Sequence, residues 1–220
     1  MTSVGSRHPN TVWIPEVDWF DHPIPPNCHL DEHVFIDTAY GFAPFHSQRD
    51  PGLAMGEASG AYDRTTFALG PEGAVTVGAY SCLNGAYMIC EKGISIGSHC
   101  LIAWGVVISD HWLQGAQPAS ERKAALVRSA INPERPLPSC GGAQRVVLED
   151  NVWVGFGAVV MPGVTLGRGC IVGSRSIVRE DIPPYAVVAG DPPKILRWLD
   201  PTDREESARQ SMVSRHLRGS

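Results

Sequence analysis

The run Ser109-Asp110-His111 sets an imidazole directly after a carboxylate. Imidazole titrates near neutrality, so His111 can take a proton from an acceptor group and pass it on. Asp110 either orients that ring or caps the loop. His33 and His99 are the alternative imidazoles, near the first repeat and in a turn between repeats. Six cysteines (Cys28, Cys82, Cys90, Cys100, Cys140, Cys170) contain no C-x-x-C pair, which argues against a zinc ribbon or a thioredoxin-type site. They read as reduced thiols of a cytoplasmic protein.

The composition bounds what can position these groups. The chain has 220 residues, 43% hydrophobic and 19% charged, which suits a globular protein with a sizeable core. Glycine (23) and proline (18) are frequent, so turns are many and long helices few. A net charge of −5 argues against nucleic-acid binding through a global positive field. No apolar run approaches the roughly 20 residues of a membrane span. The N-terminal MTSVGSRHPN has no apolar core of a secretory signal, so no membrane partner is expected.

An aliphatic residue recurs every six positions at Leu148, Val154, Val160, Leu166, Val172 and Val178. Two residues before each lies a smaller inward-type residue: Val146, Val152, Ala158, Val164, Cys170 and Ser176. Ile96, Ile102 and Ile108 repeat the rule, preceded by Ile94, Cys100 and Val106. Val77, Leu83 and Ile89 continue it upstream, with one residue of slippage before Ile96. Leu30, Ile36 and Phe42 form a degenerate first coil. A period of six fits neither a helix nor a lone strand. It predicts a triangular solenoid, three short strands to a coil of about 18 residues, stacked in parallel around an aliphatic column. Cys100 and Cys170 then sit in the small inward slots as inert core.

Val152-Trp153-Val154-Gly155, the run Val159 to Gly167, Ile171-Val172-Gly173-Ser174, Asp181-Ile182-Pro183-Pro184 and Val188 to Lys194 together carry a hexapeptide-repeat transferase signature. Over residues 75–199 the chain resembles the left-handed β-helix O-acetyltransferases, the group of galactoside, maltose and nodulation-factor acetyltransferases. The resemblance implies an all-β, left-handed parallel β-helix with an irregular N-terminal arm, an excursion loop and a short C-terminal extension. It implies acetyl-CoA as cosubstrate, no metal, and a homotrimer with active sites between subunits.

It also implies roles. His111 matches the loop of the family's general base, although several relatives place that histidine two or three residues later and follow it with a second histidine or a proline, whereas Trp112-Leu113-Gln114 follow here. Asn84 lies near the family asparagine that faces acceptor and thioester; it donates to the oxyanion or fills a tight turn before Gly85. Trp153 matches the tryptophan beside the donor cleft, or covers a strand. Ser174 and Ser176 fall where relatives meet the pantetheine amides. Lys194, Arg197 and Arg179 fall on or near basic positions that hold CoA phosphates, or are solvated cations. Glu180 follows Arg179 where relatives often carry lysine.

These readings divide the chain. Residues 1–73 are an N-terminal arm and degenerate first coil, with 43–66 a loop-like stretch outside the register. Residues 74–108 are coils, 109–145 an excursion with a short helix near Ala119–Ala130, and 146–183 coils again. Residues 184–199 form the CoA segment and 200–220 a charged tail. Gly93-Ile94-Ser95-Ile96-Gly97 matches G-x-S-x-G, yet Ser95 lies between inward residues and points outward, so a hydrolase elbow is refused.

The function expected is acetyl-CoA-dependent O-acetylation of a sugar or glycan hydroxyl by direct transfer. The alternatives are amino-sugar N-acetylation and a non-catalytic β-helix scaffold or trimerisation module. A γ-type carbonic anhydrase would need a third histidine beside His99 and His111, and none falls at a fitting place.

Overall fold

The computed structural model describes residues 12–13, 18–111, 118–132 and 142–201. Its strands, numbered in chain order, form the three faces of a left-handed parallel β-helix. The first face stacks β1 (Cys28–Leu30), β3 (Leu53–Met55), β6 (Val75–Val77), β9 (Ile94–Ile96), β12 (Val146–Leu148) and β15 (Thr165–Leu166). The second stacks β2 (Phe35–Ile36), β4 (Gly60–Tyr62), β7 (Cys82–Asn84), β10 (Leu101–Ile102), β13 (Trp153–Val154), β16 (Ile171–Val172) and β18 (Ala186–Gly190). An antiparallel strand, β19 (Pro193–Trp198), ends that face. The third stacks β5 (Thr66–Leu69), β8 (Tyr87–Cys90), β11 (Val107–Ser109), β14 (Val159–Val160) and β17 (Ile177–Val178).

The register follows from the hexads. Leu148 pairs with Leu166, Val154 with Val172 and Val160 with Val178, each 18 residues on. Both residues of every hexad from Val146 to Val178 are at most 1% exposed, so they form one continuous inner column. Cys100 and Cys170 lie in it, fully buried. Ser95 is exposed between buried Ile94 and Ile96.

Two expectations are corrected. Residues 43–66 are not a loop: β3, β4 and the start of β5 lie there. Met55, Ala61 and Phe67 keep the six-residue spacing, with Leu53, Ser59 and Thr65 buried two positions before each. Ser59, Ala61 and Thr65 fill three of these six slots, so the aliphatic signal is interrupted although the geometry persists. Their polarity is satisfied: Ser59 Oγ donates to Gly56 O at 2.7 Å and Thr65 Oγ1 to Tyr62 O at 2.8 Å.

The second correction concerns Ile89. Met88 takes the inward slot, paired with Phe67 and Ile108, and Ile89 is only half-buried. The turn through Asn84-Gly85 is one residue shorter than the turn through Trp104-Gly105, so Met88 follows Leu83 by five residues and precedes Ile96 by eight, and the slippage before Ile96 grows to two residues. Gly85 and Gly105 hold φ of +51° and +69°, left-handed angles that glycine adopts without strain.

In the first coil a 3-10 turn, Ala39–Phe42, stands in place of the third strand, and Phe42 stacks on Phe67 at 5.3 Å. Trp13 stacks on Phe35 at 4.5 Å and exchanges backbone hydrogen bonds with Val34 and Ile36, covering the open edge of the second face. His33 and His99 both sit at left-handed turn positions between the first and second faces. His99 stacks on Tyr80 at 5.2 Å.

The excursion leaves after β11 and returns before β12. Ile96 pairs with Leu148 and Ile108 with Val160, 52 residues on, so it adds 34 residues to one coil. Its two feet are tied where Gln144 N donates to Asp110 O at 2.7 Å. A helix, α1 (Ala119–Ala130), lies within it with no buried residue.

Candidate active site

The edge between the third and first faces carries the concentrated chemistry. Asp110 follows β11 at the level where Cys90 ends β8, so its side chain enters the solenoid wall and is fully buried. A buried carboxylate requires donors on both oxygens. Oδ1 accepts from Glu91 N at 2.8 Å, and Oδ2 from Lys92 N at 2.6 Å and Gly93 N at 2.7 Å. Cys90 Sγ donates to Oδ2 at 3.4 Å. Burial, then the Asp110 charge, raises the Cys90 thiol well above its ordinary range, so it remains an S–H donor.

The remaining lone pair of Oδ1 meets His111 Nδ1 at 3.0 Å. A carboxylate only accepts, so Nδ1 of the neutral ring carries the proton and Nε2 presents its lone pair. The residue is 4% exposed. Ser109 Oγ donates to His111 O at 2.6 Å and fixes the backbone beside the ring. Asp110 therefore orients the ring and caps the corner at once. Trp112 and the first part of the excursion lie outside the described residues, as does Cys140.

Sequence reasoning missed Glu91. It occupies the turn from β8 to β9 and is half-buried. Burial raises its carboxyl pKa, the Asp110 charge adds to the rise, and the His111 ring opposes it when protonated. Its relation to His111 runs across a turn and a coil, with no short spacing to betray it.

The other site residues lie elsewhere. Asn84 ends β7 at the edge between the second and third faces, where Nδ2 donates to Ile102 O at 3.3 Å. Beside it opens a cleft of about 450 Å³ lined by Tyr40, Asp63, Arg64, Gly85, Tyr87 and Trp104. Trp153 stands outward on the second face, 48% exposed. Around the adjoining edge Trp104 stacks on Phe156 at 5.5 Å, a second exposed aromatic wall that sequence reasoning did not single out. Ser174 is exposed at that edge, one coil further on. Arg197 lies in the cross-strand row of Trp153, Ile171 and Val187, and Lys194 is exposed on the same strand.

Ser176 is a correction. It fills an inward slot, is fully buried, and its Oγ accepts from Gly190 N at 3.0 Å. Its hydroxyl anchors the final hairpin and is not directed at a ligand. Arg179 forms an ion pair with Asp191, which offsets part of its charge. Thus one chain brings Asp110 and His111 together at one edge, and Trp153, Ser174, Lys194 and Arg197 around the second face.

This is the architecture of a hexapeptide-repeat β-helix. Residues 145–180 match the family described as bacterial transferase hexapeptide (six repeats), and the chain carries that repeat. It is 45% identical to a chloramphenicol acetyltransferase of Agrobacterium fabrum over 146 residues, 56% of this chain and 66% of the relative. It is 36% identical to a galactoside O-acetyltransferase of Lactococcus lactis over 80 residues, 35% of this chain and 39% of the relative. The chain thus spans less than two thirds of these relatives' length. The fold is shared with a hexapeptide-repeat acetyltransferase of Vibrio cholerae solved with acetyl-CoA. That match has a TM-score of 0.55 and 24% identity, and covers 73% of this chain and 76% of that one. No described helix is long and apolar enough to cross a membrane. Among the described residues no group of three His, Cys, Asp or Glu is placed to hold a metal.

Proposed function

We propose that the protein is an acetyl-CoA-dependent O-acetyltransferase acting on a sugar or glycan hydroxyl, with His111 as general base. The carrying observation is the buried Asp110, whose Oδ1 holds Nδ1 of a nearly buried imidazole at 3.0 Å. The acetyltransferase names of the relatives support the reaction class.

The residues present suit CoA. Trp153 and the Trp104–Phe156 stack offer flat walls for the pantetheine arm, and Lys194 and Arg197 offer cations for its phosphates. In the reaction His111 Nε2 takes the acceptor proton while the acceptor oxygen bonds to the acyl carbon. The carbon–sulfur bond then breaks, and the proton passes from Nε2 to the departing sulfur. The Asn84 amide is the donor proposed for the oxyanion.

His111 stands at a different edge from Asn84 and the donor wall. A complete site therefore needs a second copy of the chain, which favours a homotrimer with sites between subunits. The cleft beside Asn84 is then the acceptor's place.

The test is thermal unfolding with and without acetyl-CoA, followed by thiol release with sugar and amino-sugar acceptors. Ligand at about a hundredfold its dissociation constant raises stability by about 2.7 kcal/mol. A raised midpoint and hydroxyl-dependent thiol release, absent in His111→Ala, support the reading. No shift at millimolar acetyl-CoA contradicts it, and exclusive use of amino sugars replaces O- with N-transfer.

A further inference from the structure

Glu91 and His111 meet through one atom. Asp110 Oδ1 accepts from Glu91 N at 2.8 Å and faces His111 Nδ1 at 3.0 Å. The backbone of Glu91 is thereby fixed beside the ring. Its side chain has a seat of its own. A Cβ built on Gly70 would lie 2.3 Å from Glu91 Oε2, 2.5 Å from Cδ and 2.6 Å from Oε1. Gly70 is not at a left-handed φ, so its smallness serves space and not backbone freedom. Among the described residues the Glu91 carboxylate has no hydrogen-bond or ion-pair partner. A notch thus keeps a half-buried carboxylate, unpaired among the described residues, at the edge where His111 works.

We propose that Glu91 is a positioning residue for His111: its carboxylate, seated over Gly70, steadies the imidazolium formed when the ring takes a proton. The inference rests on His111 as the base. Asp110 alone balances only part of the new charge, because three backbone N–H groups already draw on its oxygens. A second carboxylate, without such donors, answers the charge as it appears. The described charged or titratable groups around this corner are Asp110, Glu91, Cys90 behind Asp110, Lys92 in the same turn, and Arg145 packed on Gly93.

The decisive experiment is an NMR titration of the His111 imidazole in the full chain, assigned by its loss in His111→Ala. Wild type is compared with Glu91→Gln, Gly70→Ala and the double variant. The inflection should fall by about half a pH unit or more in Glu91→Gln, as expected on removing a nearby opposite charge. Gly70→Ala, whose new methyl has the atoms of that carboxylate as its three nearest neighbours, should shift it the same way. The double variant should move no further than Glu91→Gln alone. In thiol-release kinetics kcat should fall several-fold while both KM values hold, a split that a merely structural role would not produce.

An unchanged or raised inflection in folded Glu91→Gln overturns the proposal. If that variant fails to fold, Gly70→Ala decides in the same way. Should His111→Ala retain transfer, the base assignment fails. If His111→Ala is inactive and the inflection does not move, Glu91 alone is wrong.

Discussion

The coils from Val146 to Val178 and the edge where β8 and β11 end obey the same solenoid rule with opposite contents. In the first, every inward slot but one holds an aliphatic, alanine or cysteine side chain. At the second, a strand running one residue further brings Cys90 inward, and the matching position of the next coil is a carboxylate, Asp110. In the regular coils most backbone bonds run straight from coil to coil, and side-chain acceptors such as Asp181 and Glu149 each take a single N–H group. The irregular edge needs three N–H groups and a thiol to keep one charge buried. Periodicity builds the scaffold, and the place where it breaks fixes a side chain for chemistry.

The comparison is broken most severely by His111→Ala. It should lower transfer by about 10²–10⁴ in kcat, the usual contribution of a general base, and leave the unfolding midpoint nearly unchanged. Thiol release and thermal unfolding read the two halves. Asp110→Ala should affect both. It strands three backbone donors, each unsatisfied group costing about 1–3 kcal/mol, so denaturant unfolding should show a loss of about 3 kcal/mol or more.

Leu166→Ala, in the regular column, should lower stability by about 2–5 kcal/mol, yet leave kcat of the folded enzyme intact. Activity loss without unfolding there would erase the division between the regions. Lys194→Ala should weaken CoA binding by about tenfold, or about 1.4 kcal/mol, by calorimetry, with little change in stability. The smallest effect concerns Cys28, whose thiol burial pushes up to about 12. It should resist a thiolate-selective reagent at pH 8 in the native protein and react readily once unfolded.

Much of this was legible from residue types. The six-residue spacing located β12 to β17 because Val and Leu fill those slots. It failed at β3 to β5, where Ala61, Ser59 and Thr65 satisfy the same geometry without an aliphatic signature. Ile89 and Met88 are both apolar, so only the pairing of β8 with β11 decides which faces inward. Asp110 and His111 were visible as adjacent letters. Glu91 and Gly70 were not, since their meeting depends on which residues the stacking places one above the other. Ser176 misled because a serine in an inward slot reads the same as one facing a ligand, until its bond to Gly190 N is seen.

The central claim is that His111 from one copy meets the donor wall of another, because one chain holds them at different edges. It is tested most directly by mixing two impaired variants, His111→Ala and the double Lys194→Ala/Arg197→Ala, at an acetyl-CoA concentration far below what the double variant needs for binding. They are unfolded and refolded together, and thiol release from acetyl-CoA is followed with an accepted hydroxyl substrate. The account predicts that activity returns in the co-refolded mixture and not in either variant refolded alone, since mixed assemblies contain some sites with both wild-type edges. A co-refolded mixture that forms mixed oligomers and stays inactive would contradict it.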